Sequence, residues 1–474
     1  MTEKTNVTVL GAGPAGVAAA YRLTQRDDVS VQVLERGPQV GGNSSSFMLE
    51  GIWCDYGSHR FHPVADPDII NDVKKLLGDD LLLRPRHGRI RLGGKWIHFP
   101  LKPQDALLRL PKPFAASLMM DMVLGPLRGK PKGEPTFATT LRSGLGPTIS
   151  EQFYFPYVTK LWGLKPEELA VELAERRVSG SSVGKILGKM MRQLPGFRSP
   201  TAGRFYYPRK GFGQIVQNMA DAAEAQGARF EFGTSLTRIE RDGNNAVAVY
   251  AEKDGNEQRI EADHIWSTIP ITNLIKSMDP PAPPDVLEAA NGVRSRGMIL
   301  IYLFLEQDQF TEFDAHYFPE LSIPVSRMSE PKNYSNTKDP RGLTVLCAEL
   351  PCDPGEEYWG KSDDELGALF CEWLAGVGLP VTAKVRKTLT RRLGHAYPVY
   401  DLGYEEKFHT MDSWLAGMDG LLTFGRQGLF AHDNTHHAFT MAYGAADCLR
   451  PDGVLDRSEW VKKRKEFESH VVED

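Results

Sequence analysis

Apolar residues fall into short runs along the chain, broken by glycine and polar turns. Val7–Leu10 is one such run and reads as a strand. Gly11-Ala-Gly13-Pro-Ala-Gly16 follows at once; Val17–Leu23 then predicts a helix, and Val29–Leu34 a second strand ending on Glu35. Helical spacing recurs from Asp68 to Leu77, and Arg89–Leu92 and Lys95–Phe99 flank Gly93-Gly94 as a β-hairpin. Two helical patches surround a linker at Gly125–Pro135, and Pro195–Gly203 reads as a second linker. A further α/β block opens near Phe205. It holds a helix (Gly211–Gln226), a strand (Arg229–Phe232), a meander (Leu236–Glu240, Ala246–Ala251, Arg259–Ala262) and a closing segment, His264–Pro270. Met278–Pro284 reads as hinge-like. Met298–Leu305 (MILIYLFL) predicts a buried strand, and 343–350 another. Leu421–Phe424 predicts a late strand before Gly425-Arg426-Gln427-Gly428 and a final helix from about Asn434 to Leu449.

Composition narrows the class. The chain has 474 residues, 41% hydrophobic and 25% charged, which excludes a mostly disordered protein. With 56 Lys plus Arg against 61 Asp plus Glu, the net charge of −5 carries no nucleic-acid footprint. No apolar run approaches the ~18–20 residues of a membrane span. The five cysteines are odd in number and scattered, so no disulfide framework is expected and a cytoplasmic protein is. The basic helix Ser458–Phe467 reads as a solvated surface.

The first βαβ unit carries the clearest chemistry. Gly11 permits a tight turn, Gly13 lets backbone N–H groups approach a pyrophosphate, and Gly16 lets the helix lie close to the strand. The helix N-terminus then faces the phosphates. Glu35, 19 residues after Gly16, is placed to accept hydrogen bonds from a ribose. These features predict dinucleotide binding; the spacing alone does not choose between NAD and FAD.

Together with Gly41-Gly42, Pro156–Gly163 (PYVTKLWG), Tyr207-Pro208, Ser267–Pro270 and the Gly425–Gly428 turn, this unit resembles the FAD-dependent amine-oxidase-like superfamily. That group includes protoporphyrinogen oxidases and UDP-galactopyranose mutases. The resemblance implies an α/β fold: a Rossmann-like (GR2-type) FAD-binding domain with an interleaved α+β substrate domain. It assigns residues 1–62, 205–270 and 390–474 to the former, and 63–204 and 271–389 to the latter. It implies FAD contacts at Gly11, Gly13, Gly16, Glu35, Arg36, Gly42, Asn43, Ser58, Leu236, Thr268, Gly425, Arg426, Asn434 and Thr435. The N-terminus of the last helix would face the flavin.

Two chemistries stay open. One is an oxidoreductase passing a hydride from a small-molecule, sugar or isoprenoid-type substrate to the flavin. The other is a mutase-like isomerase using reduced flavin on a nucleotide sugar. Asp55–His59 and Arg327 with Asn333-Tyr334-Ser335 resemble mutase segments, whereas Phe99–Lys102 and His436-His437 depart from them. His59 is the candidate acid/base or flavin-edge group. Arg327, Arg426 and Tyr397 are a candidate clamp for an anionic or diphosphate-bearing substrate. Trp162 and Tyr157 would supply an aromatic wall. The spacing of His432, Asp433, His436 and His437 imitates a metal cluster, but flavin-edge contacts are the expectation and no metal is. Oligomeric state is not readable.

Overall fold

The computed structural model describes residues 4–99, 109–125, 134–178 and 203–472. Most of both expected linkers, 126–133 and 195–202, and Pro100–Lys102 lie outside them.

A five-stranded parallel sheet runs in the order Leu421–Thr423, His264–Ser267, Thr5–Leu10, Val29–Glu35, Arg229–Phe232. Its strands come from three distant stretches of chain. The helix Pro14–Leu23 lies between the helices Gln214–Ala225 and Thr435–Cys448. Ala18, Ala19 and Ala20 are fully buried there, and their small side chains let the helices approach closely.

The second large sheet has seven strands: Val385–Pro398, Ser295–Leu305, Thr344–Pro351, Arg327–Ser329, Ala315–Tyr317, Gly88–Leu92 and Lys95–Phe99. The run read as a buried strand is its centre. Met298, Leu300, Tyr302 and Phe304 enter one core; Ile299, Ile301, Leu303 and Leu305 enter another with Leu366, Phe370 and Leu374 of the helix Asp363–Gly376. Burial on both faces is why its sequence is continuously apolar rather than alternating.

Three differences from the sequence reading have physical causes. The helix expected at Gly211–Gln226 is Gln214–Ala225, because Phe212 and Gly213 donate backbone N–H groups to Asp55 and Ser46 instead of entering the helix. Met278–Pro284 is not a free hinge. Met278–Asp279 pairs with Ile239–Glu240, and Arg241 donates to the carbonyls of Pro280 (2.8 Å) and Pro281 (2.9 Å). Residue 390, the expected domain junction, lies inside the 14-residue strand Val385–Pro398, a sheet-edge strand whose polar outer face hides its period.

Candidate functional site

The glycine-rich turn opens between the first strand and the first helix. A Cβ on Gly16 would sit 1.9 Å from the carbonyl oxygen of Gly11, so only glycine allows the helix this close. Gly13 faces open space, with nothing within 4 Å of an added Cβ, while a Cβ added to Gly42 of the next loop would sit 3.4 Å from Gly13 Cα. The helix it begins has Pro14 in its first turn and neither a capping side chain nor an acid there, which leaves N–H groups for a phosphate. Glu35 Oε2 accepts from Ala12 N at 2.9 Å and Oε1 from Gly37 N at 2.6 Å, fixing the carboxylate beside this opening. The donor set and the open backbone at Gly13 fit the pyrophosphate and ribose of a dinucleotide.

Thr268, Gly425, Asn43 and Thr435, four of the other expected cofactor contacts, belong to or are linked to the first strand, the first helix or the Gly41–Ser46 loop. Thr268 Oγ1 donates to Leu10 O (2.9 Å). Gly425, at φ +82°, would place a Cβ 2.7 Å from Ala15, so the late Gly-Arg turn lies directly on the first helix. Asn43 Nδ2 and Gln427 Nε2 both donate to His395 O, at 3.0 and 2.9 Å, tying the Gly41–Ser46 loop to that turn. Arg36 lies close enough to His395 for its charge, after burial, to help depress that imidazole's pKa. Ser44 and Thr435 hydroxyls meet at 3.3 Å, joining the loop to the start of the last long helix, where Asn434 is the cap. Leu236 sits in the strand Ser235–Asp242 opposite Ala251 and packs on the larger core.

Beside this lies a buried polar layer. Asp55 accepts from Ser46 Oγ (2.6 Å), Tyr207 OH (2.6 Å) and Phe212 N (2.9 Å). Burial pushes its pKa up despite these donors. Ser58 Oγ meets Tyr334 OH at 2.5 Å. His59 Nε2 is 2.9 Å from Tyr56 O, and only as a donor can it bond a carbonyl, so Nδ1 carries the lone pair. Burial holds the His59 pKa below its ordinary value, against the pull of Asp55. The ring is therefore neutral.

Arg327 and Glu349 stand directly opposite each other on neighbouring strands. Nε and Nη2 of the arginine donate to Oε1 (3.0 Å) and Oε2 (2.9 Å) of the carboxylate, and Oε1 also accepts from Ser58 N at 2.7 Å. Burial alone would lower the arginine's pKa; the facing carboxylate overrides it and raises it. Arg426 is held differently. It donates to carbonyl oxygens, Ala396 O at 2.8 Å and Asp433 O at 3.4 Å, and lies 5.0 Å over the ring of Tyr397. Arg177 covers the same ring at 5.2 Å and Trp162 at 5.5 Å. Among the described residues neither Arg177 nor Arg426 forms an ion pair with a carboxylate.

Tyr397 thus lies against Arg426, as the sequence pattern suggested, and near Arg327. Trp162 packs near Tyr397 (6.2 Å) and donates to Pro398 O. The three clustered histidines diverge. His432 is fully buried among Tyr400, Trp162 and Tyr397; His436 packs against Phe61 and His62; His437 faces Asp433 and His470. Glu349 and Arg177 escaped the sequence reading. Glu349 had a signal, a lone acid inside the apolar run Val345–Leu350, since a buried charge demands a partner. Arg177 had none. Lys160 is also buried, donating to Glu320 O (2.6 Å) and Val325 O (3.2 Å); burial pushes its pKa down to about 7.

Comparison with known proteins places this geometry. The sequence profile of the flavin containing amine oxidoreductases matches residues 14–404, and the chain belongs to that family. FAD is accordingly its cofactor. The chain is 21% identical over 272 residues to coproporphyrinogen III oxidase of Staphylococcus aureus. A second relative, from Mycobacterium tuberculosis, is 26% identical over 313 residues. These alignments take in 52% and 60% of this chain, and 58% and 62% of the relatives. In overall shape the chain is similar to reduced UDP-galactopyranose mutase, with a TM-score of 0.80 at 20% identity over 99% of this chain and 100% of that one. It is also similar to cyclohexylamine oxidase from Brevibacterium oxydans, with a TM-score of 0.60 at 16% identity over 93% of this chain and 99% of that one. No helix among the described residues is long and apolar enough to cross a membrane.

Proposed function

We propose that the protein is an FAD-dependent oxidoreductase acting on a small anionic substrate. The observation that carries this reading is the pair Arg177 and Arg426 over the Tyr397 ring, two cations that no described carboxylate neutralises. A planar guanidinium donates two parallel hydrogen bonds to a carboxylate or phosphate, and the tyrosine ring gives the bound group an apolar floor. Bound FAD supplies the hydride acceptor. The chain's own residues orient the substrate and manage its proton. His59, neutral and with Nδ1 unprotonated, is the proposed proton acceptor when the substrate loses a hydride. Glu349 and Arg327 hold the Gly57–Ser58 backbone that carries this histidine.

A second reading, a redox-neutral mutase acting on a nucleotide sugar, draws support from the whole-chain similarity to UDP-galactopyranose mutase. The same arginine pair suits a diphosphate. The two readings separate under anaerobic conditions with a panel of carboxylates, phosphates and UDP-galactopyranose. An oxidoreductase bleaches its oxidised flavin on meeting substrate. A mutase turns over only after dithionite reduction and leaves the flavin reduced. Unchanged turnover in both His59→Ala and Arg426→Ala sinks the site assignment under either reading.

A further inference from the structure

At the start of the last long helix, Thr435–Cys448, a second group of side chains converges. Asp433 has a fully buried side chain, and neither of its carboxylate oxygens has a hydrogen-bond partner. His437 Nδ1 lies 3.2 Å and His470 Nδ1 3.3 Å from Asp433 Oδ1, neither aligned as a hydrogen bond. His437 Nδ1 also accepts the backbone N–H of Asn434 at 3.2 Å, which requires an unprotonated nitrogen. Asp433 thus faces two imidazole nitrogens in a buried place, and neither its oxygens nor His470 Nδ1 has an aligned hydrogen bond. A cation held between the three groups satisfies all of them at once.

We propose that Asp433, His437 and His470 bind a divalent first-row metal ion of the zinc type. The three ligand atoms lie within 4.8 Å of one another. Bonds of about 2.0 Å to a tetrahedral ion separate neighbouring ligand atoms by about 3.3 Å, which the two carboxylate–imidazole distances already match. Two imidazoles with one carboxylate suit zinc and its neighbours rather than calcium or magnesium. The imidazole rings, now stacked 4.2 Å apart and 13° from parallel, splay to aim both nitrogens at the ion, which takes over the lone pair held by Asn434 N–H.

The site borders a cavity of about 590 Å³ lined also by Glu172, Glu175, Arg176 and Glu405, so a water can fill the fourth position. His470 follows the helix Arg457–Phe467, and Val472 N donates to Arg176 O at 2.8 Å. The ion therefore pins the C-terminal segment to the foot of the helix whose first residue, Thr435, reaches the Gly41–Ser46 loop.

The test uses tag-free, flavin-loaded full-length protein, stripped with chelator and dialysed against Zn²⁺ or Co²⁺. One Zn²⁺ per chain by elemental analysis and the visible bands of tetrahedral Co²⁺ are expected. His470→Ala, on the C-terminal segment, and Asp433→Asn each weaken Zn²⁺ binding at least tenfold, and Zn²⁺ raises the Tm of wild type only. The flavin absorbance of His470→Ala stays that of wild type, showing that it folds. Equal Zn²⁺ binding by wild type and His470→Ala overturns the proposal, as does a wild-type chain that takes up no ion.

Discussion

Arg327 and Arg426 are both buried near Tyr397, yet they are held by opposite means. Arg327 meets a carboxylate fork to fork, so it adds almost no net charge to the site. Arg426 meets only carbonyl oxygens and an aromatic face, and burial depresses its pKa. The charge of one arginine is answered by a carboxylate, and that of the other is met only by carbonyl oxygens and a ring. Proximity to a cofactor cradle does not by itself make an arginine a substrate contact; what counts is whether its charge is already answered.

The largest effect expected is on the committed pair. Glu349→Gln leaves a buried guanidinium without its counter-charge and lowers stability by about 3–5 kcal/mol in urea unfolding. A loss under ~1 kcal/mol erases the distinction between the two arginines. Arg426→Ala reverses the pattern. Stability moves little, whereas the Kd for an anionic ligand rises about 10–100-fold in a fluorescence titration, the loss of one charged hydrogen-bonding partner.

The third test reads the field of the uncommitted arginines through His432. Burial, then the charges of Arg177 and Arg426, hold its pKa well below the ordinary value. His59 is depressed by burial, and His436 is lowered to about 2. Folded, His432 and His436 stay neutral; unfolded, they take up protons below about pH 6.5. Stability is therefore complete above that pH and is lost as pH falls through it, and His432→Phe flattens the slope of Tm between pH 7 and 5. The smallest effect has the opposite sign. Burial and the neighbouring Glu172 push Glu405 up to about 7. Its contribution is present at acid pH and is lost as pH rises through 7, so Glu405→Gln makes the Tm at pH 8 slightly higher.

The βαβ unit was legible because its parts are adjacent in sequence. Gly11, Gly13, Gly16 and Glu35 lie within one strand–helix–strand, where spacing reports geometry directly. The charge balance of the site was not legible. Arg327 and Glu349 are 22 residues apart and meet only because the strands Arg327–Ser329 and Thr344–Pro351 align in that register. Arg177 and Tyr397 lie far apart in the sequence, and no periodicity links them. The strand Val385–Pro398 was hidden for a related reason: an edge strand keeps polar residues on its open side, and its alternation fades.

The order of the five-stranded sheet has a consequence for synthesis. Of its five strands Thr5–Leu10 is made first, but its neighbour His264–Ser267 comes far later and the edge strand Leu421–Thr423 last of the five. At about 5–20 residues per second, the ribosome takes about 20–80 s to reach that edge. Through that interval the apolar rim of the newborn sheet stays uncovered, and the chain depends on whatever shields nascent segments until its final helix arrives.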